Sequence, residues 1–110
     1  MRRLLTAALL TIAAPASAAS FDCHKAAAPD ERAICADRAL NDQDVRMATL
    51  IGMLNQLQAM GGQGVLRDEQ RAWLAQRRLC GANYRCLAAA YGKRVNDLQA
   101  SFSAFAQRVN

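Results

Sequence analysis

The chain has 110 residues, 53% of them hydrophobic and 21% charged, with a formal net charge of +5. That length holds one small domain, whose core is marginal without covalent support. No apolar stretch approaches the roughly 20 residues that a membrane span needs.

The N-terminus reads as an export signal. Met1-Arg2-Arg3 is a short positive segment, and Leu4 to Ala14 is apolar apart from two threonines. Pro15 breaks that run, and Ala16-Ser17-Ala18 supplies the small residues that a signal peptidase requires. A cut after Ala18 is expected, with Ala19 as the second choice, leaving residues 19–110 as a single periplasmic or secreted domain. Ser20-Phe21-Asp22 ahead of Cys23 argues against a lipid-anchored cysteine. Losing Arg2 and Arg3 lowers the net charge to +3. Residues 19–60 then carry −2 and residues 61–110 carry +5. A basic half could meet nucleic acid or an anionic glycan, but an exported chain rarely meets nucleic acid. These arginines alternate with apolar residues, so a solvated helix surface is the stronger reading and no nucleic-acid partner is expected.

Almost everything after Pro29 reads as helix, because Ala, Leu, Gln and Arg dominate. Pro29-Asp30-Glu31 starts a short helix that ends near Cys35 or Ala36. Asp37 then caps a long second helix, in which Leu40, Met47, Leu50, Ile51, Leu54 and Leu57 recur at helical spacing. Gly61-Gly62-Gln63-Gly64 is expected to stop it. A third helix is predicted over Leu66–Leu79. A fourth runs from Tyr84 to Arg108 with the cleanest stripe in the chain: Tyr84, Leu87, Tyr91, Val95, Leu98, Phe102 and Phe105. The second helix is its natural partner. The expected fold is all-α: a small disulfide-stapled bundle or hairpin of two long helices and two shorter ones.

Four cysteines behind an export signal read as two disulfides. Cys23 and Cys35 bracket the first helix. Cys80 and Cys86 flank Gly81-Ala82-Asn83; on an unbroken helix they would stand about 9 Å apart along the axis, too far to bridge, and the turn brings them back into range. The pairing predicted is Cys23–Cys35 and Cys80–Cys86, each bridge worth about 2–3 kcal/mol. Metal binding is disfavoured, since structural zinc ligands sit two to four residues apart and no two cysteines here do. No cofactor is expected. Catalysis is unsupported too: His24 has no nucleophile to serve, and Asp30-Glu31, Asp42 with Asp44, and Asp68-Glu69 fit helix electrostatics or exposed surface.

Three blocks of residues form an ordered pattern. Phe21-Asp22-Cys23, Ile34-Cys35-Ala36-Asp37, Leu40 and Asp44 make the first. Gln70-Arg71-Ala72-Trp73-Leu74, Arg77 and Cys80 make the second; Cys86-Leu87, Tyr91, Arg94 and Leu98 make the third. The set resembles the LprI-type lysozyme-inhibitor domain, a family of small exported bacterial proteins. The resemblance implies an all-helical fold with two disulfides, and binding and inhibition of a c-type or related lysozyme. The chain departs from it at Gln43, where leucine is usual, at Ile51, where tyrosine is frequent, and in having no lipid anchor.

Gln70, Trp73, Arg77 and Cys80 share one helix face. Either that face is a contact patch anchored by Trp73 and Arg77, or Trp73 enters the core with Arg77 covering it. The second is favoured, because a small bundle usually buries its one tryptophan. Contact residues then lie elsewhere, for instance at Gly61–Gly64 or at the Cys80–Cys86 turn with Arg78 and Arg85. An arginine or loop donor reaching the catalytic carboxylates would be the physical means of inhibition. Many lysozymes are basic, so Asp37, Asp42 and Asp44 of the acidic half are the candidates for steering. The alternative is a non-enzymatic envelope adaptor with a different partner. A monomer or weak dimer is expected.

Overall fold

The computed structural model describes residues 19–109 and is helical almost throughout. The expected export signal and its cut after Ala18 lie outside the described residues. A 3-10 turn, Cys23–Lys25, leads into α1 (Pro29–Ala36), α2 (Arg38–Leu57), α3 (Met60–Leu79) and α4 (Tyr84–Val109). Proline occupies the first turn of α1 with Asp30 and Glu31 beside it. Asp37 caps α2, its carboxylate accepting the Leu40 N–H at 2.9 Å. No helix among the described residues is long and apolar enough to cross a membrane.

The helix directions follow from which residues meet. Tyr91 bonds Asp44, while ten residues further along both helices Leu54 and Ser101 line one small cavity. So α2 and α4 run in the same direction. Arg77 lies at the Asp44–Tyr91 level and Leu66 at the Leu54–Ser101 level, so α3 returns antiparallel to both. As the matching stripes predict, α4 packs mainly on α2. The core is a seam of Leu40, Met47 and Leu54 from α2, Leu66 and Trp73 from α3, and Leu87, Tyr91, Val95 and Leu98 from α4, closed by Ile34 of α1.

Both disulfides form as the spacing predicts. Cys23–Cys35 spans a Cα–Cα distance of 5.8 Å and Cys80–Cys86 one of 5.5 Å. Among the described residues no cysteine is free.

The glycine run does not stop a helix. α2 ends at Leu57, and Gly61, Gly62 and Gly64 fall in the opening turns of α3, which makes that helix 20 residues long, as long as α2. The early positions of a helix cost glycine least, because the first N–H groups have no partner inside the helix in any case. The chain instead breaks at Gln58-Ala59, both extended. The Gln63 side-chain amide fastens this corner by donating to the Asn55 and Gln58 carbonyls at 2.7 and 3.2 Å. Gly62 allows the approach, since a Cβ there would lie 3.0 Å from the Gln58 side-chain oxygen.

Candidate functional site

The seam turns polar at one level. Asp30 of α1, Asp44 of α2, Arg77 of α3 and Tyr91 of α4 meet there, all of them buried. Arg77 Nε donates to Asp30 Oδ2 at 2.9 Å, and its Nη1 donates to the Tyr91 hydroxyl at 3.3 Å. Tyr91 in turn donates to Asp44 Oδ1 at 2.8 Å, which also lies 3.9 Å from Arg77 Nη1. One residue from each helix is thereby tied into a single network.

Aromatic rings wall it in. The Arg77 guanidinium sits 5.5 Å from the Phe21 ring centre and 5.9 Å from that of Trp73. Trp73 packs edge-on against Tyr91 at 5.0 Å, and its Nε1 donates to the Ala90 carbonyl at 3.2 Å. Burial first, then Asp44, pushes the Tyr91 phenol well above its ordinary pKa. Burial opposes the charge on Arg77, but Tyr91 and Asp30 outweigh it and the guanidinium is held more firmly protonated than usual. Such a network fixes register and specifies one packing of the helices. Each of the four side chains is engaged by another, while Asp30 Oδ1 is buried without a hydrogen-bond partner.

A neighbouring polar pair sits one turn away: Arg94 Nε donates to Gln70 Oε1 at 3.0 Å, while its Nη1 lies 3.8 Å from Glu69. Outside the network, an open groove of about 460 Å³ runs past Phe21, Lys25, Gln70, Leu74 and Arg78, with Arg77 at its floor.

The structure divides the residues singled out from the sequence. Trp73 and Arg77 are in the interior and Gln70 is half-buried, so their shared face points into the bundle. Asp44 is 0% exposed and cannot steer a partner. Asp37 is occupied as a helix cap, which leaves Asp42 as the exposed member of that trio. Reading Asp30 as a helix-end charge missed its partner, Arg77, 47 positions away. Tyr91 read as stripe, and its hydroxyl gave no periodic signal.

Arg78 and Arg85, in contrast, are exposed. They flank the tip where α3 turns into α4. Here Leu79 is 87% exposed and Tyr84 51% exposed, which places an aliphatic and an aromatic side chain together on the outside of one turn. The tip is rigid. Gly81 takes a left-handed φ of +56°, the Asn83 N–H bonds the Cys80 carbonyl at 3.2 Å, and the Asn83 side chain caps the Cys86 N–H at 3.0 Å. The Cys80–Cys86 bridge closes the loop.

Comparison with protein families gives a match to lysozyme inhibitor LprI over residues 23–98, from the first cysteine through Leu98 of the core seam. The chain belongs to the LprI family. The matched span includes both disulfides and the whole of the Asp30–Asp44–Arg77–Tyr91 network. This is an inhibitor family rather than a catalytic one, and in this LprI member the two disulfides fit an extracytoplasmic setting. No curated protein and no solved structure gives a match.

Proposed function

We propose that this chain is exported with removal of its leader and binds a c-type or related lysozyme, blocking the cleft with the Cys80–Cys86 tip. The observation that carries the reading is the pair of large apolar side chains, Leu79 and Tyr84, held outward on a disulfide-closed turn between Arg78 and Arg85. A tip locked before encounter loses little entropy on binding. An aliphatic and an aromatic side chain are suited to anchoring in a concave site. Lysozyme chemistry depends on two carboxylates in its cleft, and a guanidinium forms its strongest hydrogen bonds with such groups. Arg78 and Arg85 are free to supply them, whereas Arg77 is committed inside the bundle. Inhibition then follows from occupancy, with no turnover.

A cell-wall clearing assay tests this. The protein should slow clearing at near-stoichiometric ratios, and the double variant Leu79→Asp/Tyr84→Ser should inhibit at least tenfold more weakly while keeping its helical circular dichroism. Full inhibition by that variant would refute the tip as the contact. No inhibition at micromolar excess across several lysozyme classes would remove lysozyme as the partner and leave the adaptor reading.

A further inference from the structure

The buried network is one positive charge short. It contains two carboxylates, Asp30 and Asp44, one guanidinium, Arg77, and a neutral phenol, Tyr91. A buried carboxylate without a counter-charge is costly. Asp44 is fully buried, and its second oxygen, Oδ2, has a partner from outside the four helices: the backbone nitrogen of Ser20, at 2.6 Å. The chain just ahead of the first helix thereby sets a main-chain nitrogen directly on the buried carboxylate. Phe21, the next residue, stacks on Arg77 and fixes the approach.

We infer that the leader is cut between Ala19 and Ser20, and that the new α-ammonium of Ser20 pairs with Asp44 to complete the charge balance of the core network. Water adds across the Ala19–Ser20 amide under the host's signal peptidase; the carboxylate departs with the leader and the ammonium stays on Ser20. Small residues, Ser17 and Ala19, stand at the −3 and −1 positions of this cut, as Ala16 and Ala18 do for the cut one residue earlier. Sequence rules therefore permit both, and the position of Asp44 selects between them. A cut after Ala18 would place the ammonium about 3.8 Å further along the chain and leave only an amide on Asp44. Ser20 is exposed, so its ammonium keeps water on one side and is not itself a buried charge. The precursor, with an amide at this position, is the less stable form, and cleavage tightens the fold.

The inference rests on the export proposed above, and the experiment separates the two. The full-length precursor is expressed in an exporting bacterium, and the intact mass of the periplasmic product is measured. A chain starting at Ser20 is expected. A product starting at Ala19 overturns the inference but leaves export standing; a chain retaining its leader sinks both. Ala19→Leu puts a bulky residue at −1 and redirects the cut to follow Ala18, giving a second exported product, one residue longer, for comparison. The groups surrounding the Ser20 nitrogen are Asp44, Arg77 and Tyr91, with Asp22, Lys25, Glu31 and Arg78 around the groove mouth. An α-amine titrates near 8 when free, and Asp44 raises that value in the folded state. Its stabilisation is whole below about pH 8 and is lost as pH rises through the raised value. The chain starting at Ser20 should therefore lose about 5 °C of Tm more than the longer product of the Ala19→Leu precursor between about pH 7 and pH 9.5. Parallel Tm profiles of the two products would overturn the pairing.

Discussion

The two ends of this bundle are held by different physics. At one end, α1, the start of α2, the end of α3 and the start of α4 converge on the Asp30–Arg77–Tyr91–Asp44 network, with both disulfides close by. At the other, α2 turns into α3 through Gln58-Ala59 with no covalent brace, over Leu54 and Leu66. The first end is secured by contacts 47 residues apart, the second by contacts five and eight residues apart. Apolar packing tolerates sliding between helices, whereas a buried ion pair satisfies its geometry in one register only. The polar end therefore sets the alignment of all four helices, and the glycine end follows it. The exposed tip rises from the aligned end, where its presentation is best fixed.

Breaking the polar end should have the largest effect. Arg77→Met leaves Asp30 and Asp44 buried without their guanidinium and should cost about 3–5 kcal/mol, read in thermal unfolding as a Tm fall of about 15 °C or more. A loss below about 1 kcal/mol would show that the network is not what aligns the helices.

Tyr91→Phe is the milder cut at the same end. It removes one donor from Asp44 and one acceptor from Arg77 while preserving the ring against Trp73, for a cost of about 1–3 kcal/mol. It also carries a pH signature. Because the folded Tyr91 pKa is raised above 10.0, the unfolded chain gives up its phenolic proton first. The stabilisation is intact below about pH 10 and is lost as pH climbs from there toward the raised folded value. The wild-type protein should show this alkaline decline and the Phe variant should lack its share of it; identical pH profiles above about pH 10 would contradict the burial of this hydroxyl.

The glycine end should respond least, and in both directions. Gly61→Ala and Gly64→Ala each add a methyl into open or ordinary space and, lying in the opening turns, should raise stability by no more than about 0.5 kcal/mol, the low end of the mid-helix value. Gly62→Ala places its Cβ 3.0–3.1 Å from Gln58 and should yield no gain or a small loss. A clear gain at Gly62 would mean that the Gln58–Gln63 corner is looser than its hydrogen bonds indicate.

Much of the fold was legible locally. Pro29 and Asp37 marked helix starts, the stripes of α2 and α4 identified each other as partners, and the Gly81-Ala82-Asn83 turn located a bridge between Cys80 and Cys86. The glycine run misled because propensity is a property of a residue, while its cost depends on position; in the opening turns of α3 that cost is small. Arg78 and Arg85 mark the candidate tip in the sequence, but nothing there marks Leu79 and Tyr84 as outward. An apolar residue beside a helix end carries no sign of whether a neighbour covers it.

Sequence alone determined the helical class, the disulfide pairing and the family, since these rest on periodicity, chain breaks and ordered motifs that act over a few residues. Tertiary structure decided that Asp30 and Asp44 are interior, that Arg77 serves them rather than a partner, and that Ser20 reaches Asp44. Those facts depend on which charges the packed helices bring together and shield from water. A one-dimensional pattern of charge does not contain that information.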